Sequence, residues 1–292
     1  MKTDPFFRAM VFGLVAAFFW GTHSVIVRYL TSDLHGITIA VLRLYIAALV
    51  LYGIMKLKSH PVSIRLSDPN LLLTVFGTAA NYVLFHIGLE HTSASNAMLL
   101  ENTAPFFIVI FLLLMPGERV GWFEVIATLI ALAGVYFTVR QDLDVGGEGL
   151  QGDFLEIFAG LTWAIFILGS SRALRQTQSA LERVGFLFNV FILSALILTP
   201  FMFLYPIQAT ANDVLFLILL GVFPTAVAYY LWYEAASQVS TVSAALLFTL
   251  SVVFTLVNAH LFLGEALTSN MIIGAALIVS GTVLSKFSPR NK

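Results

Sequence analysis

Apolar residues run through this chain in long blocks, broken by short polar stretches, almost from end to end. Ten blocks fit: 7–30, 35–56, 69–90, 94–115, 121–139, 152–172, 182–204, 211–232, 241–262 and 268–286. Each is close to the roughly 20 residues that cross about 30 Å of hydrocarbon as a helix, at 1.5 Å per residue. None shows the alternation of a barrel strand. The pattern predicts an all-α, polytopic membrane protein of ten transmembrane helices. The run ending at Leu30 exceeds a signal-peptide core and lacks a convincing cleavage site, so it is taken as the first span.

The blocks also repeat. The stretch GERVGWFEVIATLIALAGVYF from Gly117 has a counterpart, GEALTSNMIIGAALIVSGTVL, from Gly264. The offset of 147 between Gly117 and Gly264 also carries Tyr82 onto Tyr229, Ser93 onto Ser240 and Gly134 onto Gly281. Weak identity with strong positional agreement marks a duplication. The expected units are residues 1–144 and 145–292, five helices each. An odd number of spans makes the second unit enter from the opposite side, so the halves are expected to be inverted repeats, an arrangement suited to alternating access.

Composition agrees with a lipid setting: 59% of the 292 residues are apolar and 11% charged, against about a quarter charged in soluble domains. With no cysteine, disulfides and thiolate chemistry are excluded. Placing the N-terminus in the cytoplasm puts Lys2, Arg8, Lys56, Lys58, Arg65 and Arg119 on that side, together with Arg172, Arg175, Arg183 and the C-terminal Lys286, Arg290 and Lys292. Arg28 and Arg140 fall outside, where Asp142, Asp144, Glu148 and Asp153 make the 140–153 loop acidic. Both termini are therefore expected in the cytoplasm.

Polar side chains at membrane depth are costly and face protein or water. The first half is richer in them, with His23, Arg43, Asn81, His86, Asn96, Glu101 and Asn102; the second half has Glu156, Asn189, Asn258 and His260. Pro105 removes a backbone donor and frees a carbonyl near Glu101, so Glu101 and Asn102 border an exposed stretch of polar backbone. Glu101 is a candidate for substrate or proton; the alternative pairs it structurally with Arg43 or a histidine. His23 and His86 could couple protons or be neutral packing residues. Arg43 is assigned a structural role, with capture of a substrate carboxylate as the alternative.

Trp163 and the repeat mates Tyr82 and Tyr229 sit mid-helix, away from the headgroup depth of interface anchors. They either line a cavity for a partly aromatic solute or pack the core. Gly117-Glu118 and Gly264-Glu265 are expected to be structural: a tight turn, then a carboxylate near the next helix N-terminus. Ala127 and Ala131 provide a small-residue face for close packing of the fifth helix. No P-loop, dinucleotide fingerprint, HExxH motif or metal-ligand spacing occurs, so no enzyme site, metal or cofactor is expected. No filter element of a channel is present, and nothing points to nucleic acid.

Trp20-Gly21, Arg43 within LRLYIAAL, the proline-bearing fourth helix around Pro105, and the paired Gly-Glu turns resemble the bacterial drug/metabolite transporter superfamily of the EamA-like, ten-helix type. The resemblance covers essentially the whole chain. The stretch NYVLFHIGLEHTSASNAMLLENTAPFF and the central Trp163 are most similar to YddG-type aromatic amino-acid exporters. This resemblance implies a basket-shaped bundle and export of aromatic and other hydrophobic amino acids across a bacterial inner membrane. The substrate-binding positions would be Trp20, His23, Tyr82, His86, Glu101, Trp163 and Tyr229, with Asn102 beside Glu101. The expected partners are a small-molecule substrate, the bilayer and a candidate coupling proton. An exporter of drug-like cations or polyamines, with Glu101 neutralising the charge, is the alternative.

Overall fold

The computed structural model describes residues 5–64, 66–139, 149–264 and 266–287. These residues form helical spans and connecting turns, with no strand among them. In order the spans are α1 (Pro5–Leu30), α2 (Gly36–Leu57), α3 (Pro69–His91), α4 (Ala94–Leu114) and α5 (Trp122–Val139). They continue as α6 (Leu150–Leu174), α7 (Ala180–Met202), α8 (Ala211–Ala236), α9 (Thr241–Leu263) and α10 (Ser269–Phe287). Among the described residues, nine are long and apolar enough to span a bilayer; the apolar part of α5, Trp122–Phe137, is shorter. The protein is an all-α polytopic membrane protein. The proposed boundary between residues 144 and 145 lies outside the described residues, as does Glu265.

Short polar residues start the helices where the pattern places them. Ser93 accepts from the Asn96 N–H, and its repeat mate Ser240 accepts from the Ser243 N–H. Thr210 and Asp213 form a reciprocal capping box on α8. The carboxylate that caps α5 is Glu124, which accepts from Gly121 N–H at 2.7 Å. Glu118, expected at or near this helix N-terminus, stands four positions before Trp122 and 3.8 Å from Arg175. Gly117 and Gly264 have φ of 82° and 71°, so the repeated turn needs glycine for its backbone conformation.

Two spans are not continuous. α4 breaks into Ala94–Glu101 and Ala104–Leu114, with Asn102 and Thr103 between them. Pro105 cannot donate to the Glu101 carbonyl, and the ladder stops there. In α8, Gly221–Val227 widens into a π turn around Pro224. The carbonyl that Pro224 leaves without a donor is that of Leu220, and the Thr225 hydroxyl takes it up at 2.7 Å.

Helix packing pairs elements across the chain. α2 packs on α7 and α5 on α10; α3 packs on α6 and α1 on α8; α6 packs on α4 and α1 on α9. Exchanging the two halves maps this set of pairs onto itself. The α5–α10 contact is close because the repeat mates Gly134 and Gly281 carry no Cβ there. A Cβ on Gly134 would lie 2.6 Å from the Gly274 carbonyl, and one on Gly281 would lie 2.6 Å from the Ala127 carbonyl. The rim of the bundle is apolar, with Leu114, Trp122 and Phe262 exposed to the surroundings.

Candidate functional site

At the centre, seven helices of the first and second halves converge on a small cavity. Its wall is made by Trp20 and His23 of α1, Arg43 of α2, Asn81, Tyr82, Phe85 and His86 of α3, Glu101 of α4, Trp163 of α6, Tyr229 of α8 and Phe248 of α9. Its volume is about 20 Å³, room for roughly one water molecule, so this conformation is closed. A wider cleft of about 540 Å³ lies at the end of the bundle carrying the α2–α3 and α6–α7 loops, between His60, Asp68, Gln176 and Asn189. The small cavity brings together the buried Arg43 and Glu101 with His23 and His86.

One side of the cavity is aromatic. Trp20 meets Trp163, Tyr229 and Phe248 edge-on at 5.7, 5.3 and 5.2 Å between centroids. Trp163 also stacks on Phe166 at 4.4 Å, and Tyr229 packs against Phe166 at 5.6 Å. Edge-to-face contacts of this kind add about 0.5–1.5 kcal/mol per pair beyond area burial. The rings close the cavity by filling it.

The other side is polar and centres on Arg43, whose exposure is 1%. Its Nε donates to Thr225 Oγ1 at 2.9 Å, so the hydroxyl that donates to the Leu220 carbonyl in the π turn of α8 also accepts from Arg43. Its Nη1 meets Nε2 of His23, and Nε2 of His86 at 3.3 Å. His86 Nδ1 lies 2.7 Å from the Tyr82 carbonyl. That contact places the ring proton on Nδ1 and turns the Nε2 lone pair toward the guanidinium. The Tyr82 ring lies under the guanidinium, 4.9 Å from its carbon. Among the described residues no carboxylate forms an ion pair with Arg43. A buried guanidinium with five donors is thus held by neutral acceptors and a ring face.

Glu101 is the carboxylate of the cavity wall. Its Oε1 accepts from Asn81 Nδ2 at 2.8 Å, and the same amide donates to the Ala159 carbonyl of α6 at 3.0 Å. The pairing with Arg43 or a histidine weighed from sequence is not formed; asparagine supplies the donor instead. Asn102, grouped with Glu101 as substrate-binding, is absent from the wall. It ends the first piece of α4, its side chain folded back onto the Met98 carbonyl at 2.6 Å.

Seven of the eight substrate-binding candidates therefore line one cavity, and Arg43, assigned a structural role, lines it with them. Phe85, Asn81 and Phe248 were not foreseen as wall residues. Phe248 could have been found: the 147-residue offset carries Glu101 onto Phe248, so matched positions of the two halves face the same space. Thr225 had no sequence signal beyond its neighbour Pro224. Among the described residues no cluster of histidine, aspartate or glutamate suits a metal ion.

The EamA-like transporter family model matches residues 7–140 and again residues 150–287, one match per half. The chain belongs to this family. An uncharacterized transporter of Archaeoglobus fulgidus is 30% identical to this EamA-like transporter over 287 residues, covering 96% of the chain and 98% of the relative. The threonine/homoserine exporter RhtA of Escherichia coli K12 is 26% identical over 260 residues, covering 87% and 83%. A protein known from a crystal structure shares the fold at a TM-score of 0.75 and 20% identity, over 96% of this chain and 98% of its own. This EamA-like protein is a multi-pass membrane transporter of small molecules.

Proposed function

We propose that this transporter exports α-amino acids, aromatic and other hydrophobic ones among them, from the cytoplasm by alternating access. The observation that carries the reading is Arg43, a buried guanidinium in the cavity wall with neutral protein partners and no carboxylate ion pair among the described residues. Keeping a charge in such a place is expensive unless an anion arrives to meet it. A substrate carboxylate suits it in charge and in planar geometry. Glu101 on the same wall offers the opposite charge to an ammonium group, and the rings of Trp20, Trp163, Tyr229 and Phe248 would receive an apolar side chain. The named activity of RhtA, export of threonine and homoserine, supports an amino-acid cargo.

In this reading the halves 1–144 and 145–292 are inverted repeats that rock around the cavity, with both termini in the cytoplasm. The cleft at the α2–α3 and α6–α7 loops is then the cytoplasmic approach. In this reading the membrane is a prokaryotic cytoplasmic membrane, the bacterial inner membrane that the resemblance implies; relatives come from both bacteria and archaea.

Flux of labelled phenylalanine, tryptophan and threonine into liposomes of purified protein, with and without a pH gradient, tests the proposal. Saturable amino-acid flux that is lost in Arg43→Gln is the expected result. A cationic drug transported in place of every amino acid, and dependent on Glu101 rather than Arg43, would replace this reading with the cation exporter.

A further inference from the structure

Glu156 lies on α6, fully buried, and neither of its carboxyl oxygens has a hydrogen-bond partner in the protein. Its place is made by a glycine: a Cβ on Gly88 of α3 would come within 2.4 Å of Glu156 Oε1. A carboxylate so enclosed, with no donor and no cation, carries a desolvation cost that a neutral carboxylic acid avoids.

Its surroundings form a line of polar groups. Asp153, three residues earlier and about one turn away at 1.5 Å per residue, accepts from Thr92 Oγ1 at 2.7 Å. Thr92 and His91 line an open vestibule of about 450 Å³ at the α3–α4 turn. Three residues beyond Glu156, the Ala159 carbonyl receives the Asn81 amide, which also donates to Glu101. The charged groups bearing on Glu156 are Glu101 of α4 and Asp153 of its own helix. Next to it α3 presents Gly88 and, near Gly152, His91. α8 and α9 pack on α6 through Tyr229 and Phe248.

We propose that Glu156 is a proton-carrying carboxyl that loads from the vestibule at the α3–α4 turn and unloads to Glu101, linking a proton gradient to transport. The inference rests on the reading of the central cavity as the substrate site. In the transfer one O–H bond breaks at Glu156 and one forms at Glu101, with an intervening water as carrier, so the summed charge of the pair is unchanged. Asn81 bridges the two helices that carry them and holds Glu101 through Oε1, so the proton arrives at Oε2. An ammonium-bearing substrate and a proton would then compete for Glu101, which is the condition for exchange.

Two measurements test it. In infrared difference spectra of purified protein, the wild type should show the carbonyl band of a protonated carboxyl in a dry site. Glu156→Gln should remove that band, and Glu156→Asp should restore one. In liposomes, Glu156→Gln should keep counterflow of labelled threonine and phenylalanine and lose their accumulation driven by a pH gradient. A band unaffected by Glu156→Gln, or gradient-driven accumulation that survives it, would overturn the proposal. If the wild type moves neither amino acid, the amino-acid reading fails alone, and the infrared band still decides whether Glu156 holds a proton.

Discussion

At the scale of single residues, the site depends on how one cation is kept buried. Arg43 is held by the Thr225 hydroxyl through Nε, two imidazole nitrogens at Nη1 and a tyrosine face. Lysine has the charge but not the fork. Arg43→Lys should weaken apparent affinity for carboxylate-bearing substrates by about tenfold or more, in line with the ~1.5–3 kcal/mol of a hydrogen bond to a charged group. The counterflow KM measures it. Thr225→Val keeps the shape of the side chain and removes both of its bonds. It should cost about 1–3 kcal/mol, chiefly through Arg43 Nε left without its acceptor, read from thermal unfolding in detergent. Sequence alone showed that Arg43 was buried and polar, but its partners come from three other helices, and tertiary contact decides whether a buried arginine is a fastener or a binding group. Asn102 is the converse case. Its proximity to Glu101 in sequence suggested a shared role, and the helix break after Glu101 turns the two side chains to different tasks.

At the scale of elements, proline and glycine do the shaping. Pro105 and Pro224 interrupt α4 and α8 where those helices border the cavity. Both interruptions were visible in the sequence as prolines, but only the first was read as one. At Pro224 the chain stays helical by widening, and no spacing rule separates that from an ordinary kink. The turn glycines give a matched prediction. A Cβ on Gly117 or Gly264 meets nothing within 4 Å, so Gly117→Ala and Gly264→Ala should cost only the left-handed backbone term, about 1–2 kcal/mol each. Gly281→Ala should cost more than either, because its Cβ meets backbone at 2.6 Å. Thermal unfolding of the three variants side by side checks the order.

At the scale of the whole molecule, number, length and order of the spans were legible because lipid forces each helix to be apolar and long. Seven of the cavity's lining residues were legible, since polar and aromatic residues at mid-depth have few other places to go, while Asn81, Phe85 and Phe248 were not. Its closure was not, because the sequence carries no record of which state of a moving assembly is adopted. The proposed orientation can be checked directly, as the chain has no cysteine of its own. A cysteine introduced at Thr177, in the cleft of the loop end, should react with a membrane-impermeant maleimide from the cytoplasmic side. One at Ser93, in the vestibule of the opposite end, should react from the other side. The reverse pattern would invert the assignment of inside and outside.

The closed aromatic wall has a consequence for selection. A space of about 20 Å³ admits no amino acid until Trp20, Trp163, Tyr229 and Phe248 part, and parting them forfeits their mutual edge-to-face contacts. A cargo with a ring restores some of what is lost, whereas one with a short side chain leaves the faces bare. The toll is levied on the way in, so discrimination among amino acids should appear in turnover more than in affinity. The rings would then select by the speed at which they let a solute pass.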